Sequence, residues 1–89
     1  MILADGATID VSELESALAF GDKLSFAEGA TIKVNLGDRK LIANVPVVSW
    51  EGTPKNLSTV HFVDASGEQR IKRRSNGVYQ SDSLKIIFR

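Results

Sequence analysis

The sequence predicts a mainly β fold of six or seven short strands with one short helix after the first hairpin. Apolar and polar residues alternate along most of the chain, glycine-containing turn signals separate the alternating runs, and a helical pattern occurs once. We expect the strands to form a small curled antiparallel sheet or a partly open barrel, of the SH3-like or OB-like kind. With 89 residues, the chain is expected to form a single domain over residues 1–89 with one modest core.

Two nearly identical stretches stand at the start of this pattern, "ADGATIDV" at residues 4–11 and "AEGATIKV" at residues 27–34. In both, a glycine can supply the positive φ of a tight turn, and a Thr-Ile-x-Val run suits a half-buried strand. We therefore interpret the repeat as two similar hairpins, each with glycine at the third position of a type II turn. A unit occurring only twice is too little to predict a solenoid.

The helix is predicted between the two copies. "SELE" at residues 12–15 matches a capping box, in which the Ser12 hydroxyl caps the third helical amide and Glu15 reaches back. Leu14 and Leu18 fall on one stripe of such a helix, and Gly21 is placed to end it.

After the second copy, the pattern predicts a hairpin with Gly37 and Asp38 as its turn, which sets Val34 opposite Leu41. The apolar run that follows suits a strand covered on both faces. Because Pro46 has no N–H to donate to a central ladder, we expect a bend or bulge there.

The last third of the chain predicts two further hairpins. A turn at residues 66–67 pairs Phe62 with Ile71, since a slip by one residue would bury a charge or expose the ring. The Asn-Gly dipeptide at residues 76–77 is a strong hairpin signal and would set Arg74 opposite Tyr79. A final alternating strand is expected in residues 84–89.

These registers gather cationic side chains and a tyrosine ring on one face. Such a mixture suits the phosphates and bases of single-stranded nucleic acid, or an acidic protein surface. The same charges on an outward or edge strand can instead simply prevent aggregation, with Arg74 stacked on Tyr79 as a local cation–π contact. The candidate binding residues of this basic face are His61, Arg70, Lys72, Arg74, Tyr79 and Lys85.

Charge is divided unevenly along a chain whose formal net charge is zero. Residues 1–54 hold eight acidic and four basic residues, whereas residues 55–89 hold three acidic and seven basic ones. This asymmetry could dock two copies head to tail or steer an anionic partner, unless the halves interleave in space and cancel it. The acidic candidates for binding a basic partner are Asp5, Asp10, Glu13 and Glu15.

Catalytic chemistry is not indicated. There are no cysteines, His61 is the only histidine and no carboxylate partner is indicated to orient it, and no cluster has metal-ligand spacing. We expect no enzyme activity, cofactor, metal or membrane insertion, and an intracellular, cytoplasmic location. The predicted function is a protein-binding or self-assembling module, such as a viral structural, accessory or inhibitor protein. The alternative is a nucleic-acid-binding small β-barrel.

Overall fold

The computed structural model describes residues 1–81 and shows a stack of short strands linked by turns. A single 3-10 turn at Leu57–Thr59 is the helical structure within this part of the chain. The strands are β1 (Ile2–Leu3), β2 (Thr8–Asp10), β3 (Leu18–Ala19), β4 (Ser25–Phe26), β5 (Thr31–Asn35), β6 (Val48–Ser49), β7 (His61–Asp64), β8 (Ile71–Arg74) and β9 (Gly77–Gln80).

The two copies of the repeat stack on each other in parallel. Strand β1 pairs with β4, and β2 pairs with β5 so that Ile9 lies beside Val34. The glycine turn was predicted correctly, since Gly6 and Gly29 have φ of 86° and 71°, and a hydrogen bond closes each turn from Ala7 to Ala4 and from Ala30 to Ala27. The predicted hairpins are wrong. Each turn is a corner between two sheets, and the strands flanking it find their partners in the next coil.

The chain therefore winds as a short parallel β-solenoid, a stack of coils whose equivalent strands form sheets along the stack. Three sheets result within residues 1–81, with strand orders β1-β4, β2-β5-β7 and β3-β6-β9-β8. We call residues 1–22 the first coil, which contributes β1, β2 and β3; the second coil contributes β4, β5 and β6, and the third coil contributes β7. The predicted antiparallel sheet or barrel is wrong for most of the stack. Within residues 1–81 the antiparallel pairs are those of β9 with β6 and with β8, and the sheets do not close.

Inward-facing residues of successive coils form ladders that make up the core. In the sheet β2-β5-β7, one ladder runs Ile9, Val34, Asp64, and the neighbouring one places Ile32 beside Phe62. All five side chains are buried. The Phe62 ring stacks on Trp50 at 5.9 Å and meets Phe26 edge-on at 5.6 Å, so the three aromatic rings form one cluster.

The predicted helix is absent, and residues 12–17 form a turn and a bend. The Ser12 N–H and hydroxyl both donate to the Asp10 carboxylate, so the hydroxyl turns back toward Asp10. The Arg39 guanidinium donates to the carbonyls of Val11 and Ser16, and these two bonds connect the beginning and the end of this segment. A helix of eight residues is marginal alone, and the parallel pairing of Leu18 in β3 replaces it.

The expected pairing of Val34 with Leu41 is also wrong. Strand β5 already has β2 on one side and β7 on the other, so it has no free edge to pair with residues 36–47. These residues form a connection without strand structure. Strand β6 begins at Val48, two residues after Pro46, so the proline lies outside the ladder and no bulge is needed.

The predicted pairing of Phe62 with Ile71 does not form, because β7 pairs with β5 and β8 pairs with β9. The hairpin around Asn76 is present, but the partner of each residue differs by two positions from the prediction. Arg74 lies opposite Gly77, and Lys72 lies opposite Tyr79. The strand expected in residues 84–89 lies outside the described residues.

Candidate functional site

The stacking order places the start of the described chain at one end of the solenoid and β8 at the other. In the third sheet, β3 occupies one edge and β8 the opposite edge. The first coil carries five acidic and no basic residues, whereas the strands β8 and β9 carry three basic and no acidic residues. The charge asymmetry along the sequence thus becomes a charge asymmetry between the two ends of the molecule.

Strand β2 presents unpaired backbone groups at the acidic end. The Ala7 carbonyl accepts from Lys33 N–H, and the Val11 N–H donates to Asn35 O, so alternate residues of the segment face β5. Thr8 and Asp10 then direct their N–H and C=O groups away from the stack. Both residues are exposed, and β2 has only β5 as a neighbour among the described strands.

The same alternation holds in the other two strands of the first coil. The Met1 and Leu3 carbonyls accept from the N–H groups of Ser25 and Ala27, which leaves the groups of Ile2 facing outward. The Leu18 N–H donates to the Val47 carbonyl next to β6, and the backbone groups of Ala19 point away from β6. We call the outward backbone groups of Ile2, Thr8, Asp10 and Ala19 the open edge; it spans all three sheets.

Acidic side chains surround the open edge. The Asp5 carboxylate accepts from the Thr31 N–H at 2.8 Å and joins the first two coils. The Asp10 carboxylate accepts from the Ser12 hydroxyl at 2.7 Å and from its N–H at 3.0 Å, and these bonds lower the pKa of Asp10. Glu13 and Glu15 are exposed on the connection to β3. The acidic candidates predicted from sequence therefore all lie in the first coil.

The opposite end of the stack is closed around a buried carboxylate. Asp64 accepts from the Arg70 Nε at 2.6 Å and Nη2 at 3.0 Å, and also from the N–H and hydroxyl of Ser66. Its side chain is 0% exposed. The Arg70 guanidinium holds the pKa of Asp64 well below its ordinary range, and the carboxylate in turn raises the pKa of Arg70.

Gln69 covers the edge of β7 beside this ion pair. Its side-chain Nε2 donates to the carbonyls of Phe62 and Ile71, both at 3.2 Å, and its Oε1 accepts from the Asp64 N–H at 3.4 Å. The amide side chain thus supplies the bonds that a neighbouring strand would give. We call the segment 64–70 the cap; it contrasts with the open edge at the other end.

Strand β8 lies beyond β9 and carries the basic side chains of this end. Arg74 packs over the Tyr79 ring at 4.5 Å, and the Tyr79 hydroxyl donates to Asn76 Oδ1 at 3.0 Å. Tyr79 is 8% exposed. Lys72 and Arg73 are exposed.

The structure brings only part of the predicted basic face together. Lys72, Arg74 and Tyr79 share the β8-β9 hairpin, but Arg70 is engaged in the cap. His61 lies in a different sheet, on β7 opposite Thr31. Lys85 lies outside the described residues.

Sequence reasoning missed Asp64 and Gln69, the two residues that close this end. The signal for Asp64 is its parity, since it falls two residues after Phe62 and therefore faces inward. An arginine six residues later was the matching sign of a buried ion pair. Gln69 has no such signal in the sequence, because its role depends on a φ of 50° that aims the side chain at β7.

Over residues 1–81, no group of three or more His, Cys, Asp or Glu side chains is arranged to hold a metal ion. The described helical structure includes no segment long and apolar enough to cross a membrane.

Comparisons of the chain with protein-family models, curated proteins and solved structures found no match.

Proposed function

We propose that this protein is a non-enzymatic assembly module that docks onto a protein partner through the open edge of its first coil. The observation that carries the proposal is the row of outward backbone groups at Thr8 and Asp10 in a coil with five acidic and no basic residues. Unpaired strand edges bind other chains by adding a strand, and the surrounding charge selects a basic partner.

The difference between the two ends supports this proposal. At the end that Asp64 closes, Gln69 satisfies the backbone of β7 and an ion pair fills the last position of the core ladder. Natural proteins commonly protect an edge strand in this way, which prevents that strand, here β7, from pairing with other chains. The open edge has no equivalent cover within residues 1–81, which is expected of a surface that binds a partner.

A nucleic-acid role is less well supported by the geometry. Stacking of bases requires an accessible aromatic face, whereas Arg74 packs on the Tyr79 ring and the residue is 8% exposed. Arg70 is committed to Asp64, and His61 is on another sheet. We therefore treat nucleic-acid binding as an outcome of the test below.

The proposal predicts that Thr8→Pro abolishes docking while leaving the fold intact. Proline removes the outward N–H of Thr8 and places its ring at the edge, but the bonds between β2 and β5 use the alternate residues. Immobilised protein is incubated with a nuclease-treated lysate of the native cells, and the retained proteins are identified by mass spectrometry. We expect a specific protein to be retained, and its affinity for Thr8→Pro to fall about tenfold or more.

Thr8→Ala is the matched control, because it removes the same side chain and keeps the N–H. It should retain the partner as the wild type does, and both variants should melt within a few degrees of the wild type. Equal retention by Thr8→Pro would contradict the proposal. So would binding that occurs in an untreated lysate and is lost in the nuclease-treated one, which would favour the nucleic-acid alternative.

A further inference from the structure

We infer that the partner at the open edge is a second copy of this chain, stacked head to tail with its β8 end against the first coil. This inference rests on the proposed function and identifies its partner. It is argued from four features of the two ends: the direction of their strands, their outward backbone groups, their charge, and the residues that cover the end opposite the first coil.

Strand direction permits one solenoid to continue into the next. Strand β3 is parallel to β6, β6 is antiparallel to β9, and β9 is antiparallel to β8. Strand β8 therefore runs in the same direction as β3, although it belongs to an antiparallel hairpin. A copy moved along the stack axis would place its β3 beside β8 in the parallel orientation that the coils already use.

Among the described residues, both strands lie at an edge of this sheet, and each directs backbone N–H and C=O groups away from its neighbour. Ser81 N–H donates to the Arg70 carbonyl, which fixes the alternation of the β8-β9 ladder and directs the N–H and C=O of Arg73 away from β9. On the opposite edge of the same sheet, Ala19 directs its groups away from β6. Joining the edges would give one continuous sheet across two molecules.

Charge favours this contact over contacts between like ends. Strand β8 carries three consecutive basic residues, Lys72, Arg73 and Arg74. The charged side chains of the first coil are all acidic. Two first coils would repel each other, as would two β8 strands. Opposite ends attract, which selects the head-to-tail arrangement.

The end formed by the cap and β8 would face the next copy. Gln69 lies over the edge of β7, and β8 lies beside β9 at the edge of its sheet, so both stand where the first coil of the next copy would stack. Repetition of a single translation creates a heterologous contact that does not close on itself, and so gives an open-ended filament.

The test is the mass of the purified protein in solution, measured by sedimentation and light scattering over a range of concentrations. At low salt we expect the mass to rise with concentration above the 9.7 kDa of one chain. It should return to one chain at about 1 M salt, where the screening length is about 3 Å. A mass of one chain at all concentrations up to about 1 mM would overturn the inference.

Charge reversal distinguishes a head-to-tail contact from other association. Arg73→Glu should weaken self-association at least tenfold, whereas Lys33→Glu, which reverses an exposed charge on β5 in the second coil, should change it little. The double variant Glu13→Lys/Glu15→Lys should weaken self-association as much as Arg73→Glu does. Circular dichroism confirms that each variant is folded.

Mixing is the decisive step. Arg73→Glu has an intact first coil and the Glu13→Lys/Glu15→Lys variant has an intact β8, so an equal mixture restores the native contact between the two variants. The mixture should therefore give a complex of at least two chains under conditions in which each variant alone is a single chain. Absence of this complex, or equal effects of Arg73→Glu and Lys33→Glu, would overturn the inference. If the protein remains a single chain but retains another protein in a manner that Thr8→Pro abolishes, the inference fails and the proposed function stands.

Discussion

At the scale of single residues, Asp64 decides where the core ends. It occupies the position in the third coil that Ile9 and Val34 occupy in the coils before it, so an apolar ladder ends in a carboxylate. A buried carboxylate is tolerated only when it is paired and hydrogen-bonded, and Arg70 with Ser66 meets that need. The apolar ladder consequently cannot be extended past Asp64 by adding a further coil on β7.

Asp64→Asn should destabilise the fold and remove part of its acid sensitivity. The pKa of Asp64 is lower in the folded protein than in the unfolded chain, so its stabilising contribution is complete above about pH 4. That contribution is lost as the pH falls below about 4. We expect Asp64→Asn to cost roughly 2 kcal/mol at pH 7 and to flatten the decline in stability at acid pH.

The measurement is chemical denaturation at several pH values, at high salt so that association does not contribute. Asp22→Asn is the control, since Asp22 is exposed and its replacement should change stability by less than about 0.5 kcal/mol. A pH profile of Asp64→Asn that parallels the wild type would show that the ion pair does not stabilise the fold.

At the scale of elements, Gln69 protects the edge of β7. Gln69→Glu keeps the length of the side chain but removes both donors to the Phe62 and Ile71 carbonyls. We expect this variant and Gln69→Ala to lose about 1 kcal/mol of stability and to aggregate faster, because β7 becomes available to other chains.

Aggregation is followed by light scattering at high salt, where the association of charged ends is suppressed. Gln80→Ala, at a half-buried position on β9, is the comparison variant. If Gln69→Glu aggregates no faster than the wild type, the amide bonds are not what protects the edge.

The positions of several elements could be predicted from sequence, but their partners could not. The glycine turns, the strand at Thr31–Asn35 and the hairpin around Asn76 all follow from local pattern. Alternation is the same in a hairpin and in a parallel coil, so nothing local distinguishes them. The repeat was the informative signal, because two similar eight-residue segments can pair in parallel as β2 and β5 do, with Ile9 beside Val34.

The predicted helix is a case in which a local pattern was overridden. The Ser12 hydroxyl could cap a helix, but it donates instead to the Asp10 carboxylate. The outcome is decided by contacts distant in sequence, from Arg39 to the Val11 carbonyl and from Leu18 to β6. A single sequence does not reveal which of these contacts form.

At the scale of the whole molecule, the order of stacking turns sequence position into position along an axis. The acidic candidates could be predicted as a group because they are consecutive in the first coil. The basic face could not be predicted as a group. Its described members belong to β7, to the cap and to the β8-β9 hairpin, and β7 lies in a different sheet from that hairpin. The two ends that result are opposite in charge and different in their edge protection.

Amide hydrogen exchange along the first coil measures directly which side of β2 is paired. In dilute protein, we expect slow exchange at the Ile9 and Val11 N–H groups, which face β5, and fast exchange at Thr8 and Asp10, which face outward. On docking of the partner, the outward amides should become protected while the others stay unchanged. Slow exchange at Thr8 and Asp10 in the dilute single chain, or fast exchange at Ile9, would contradict the parallel stack and its open edge.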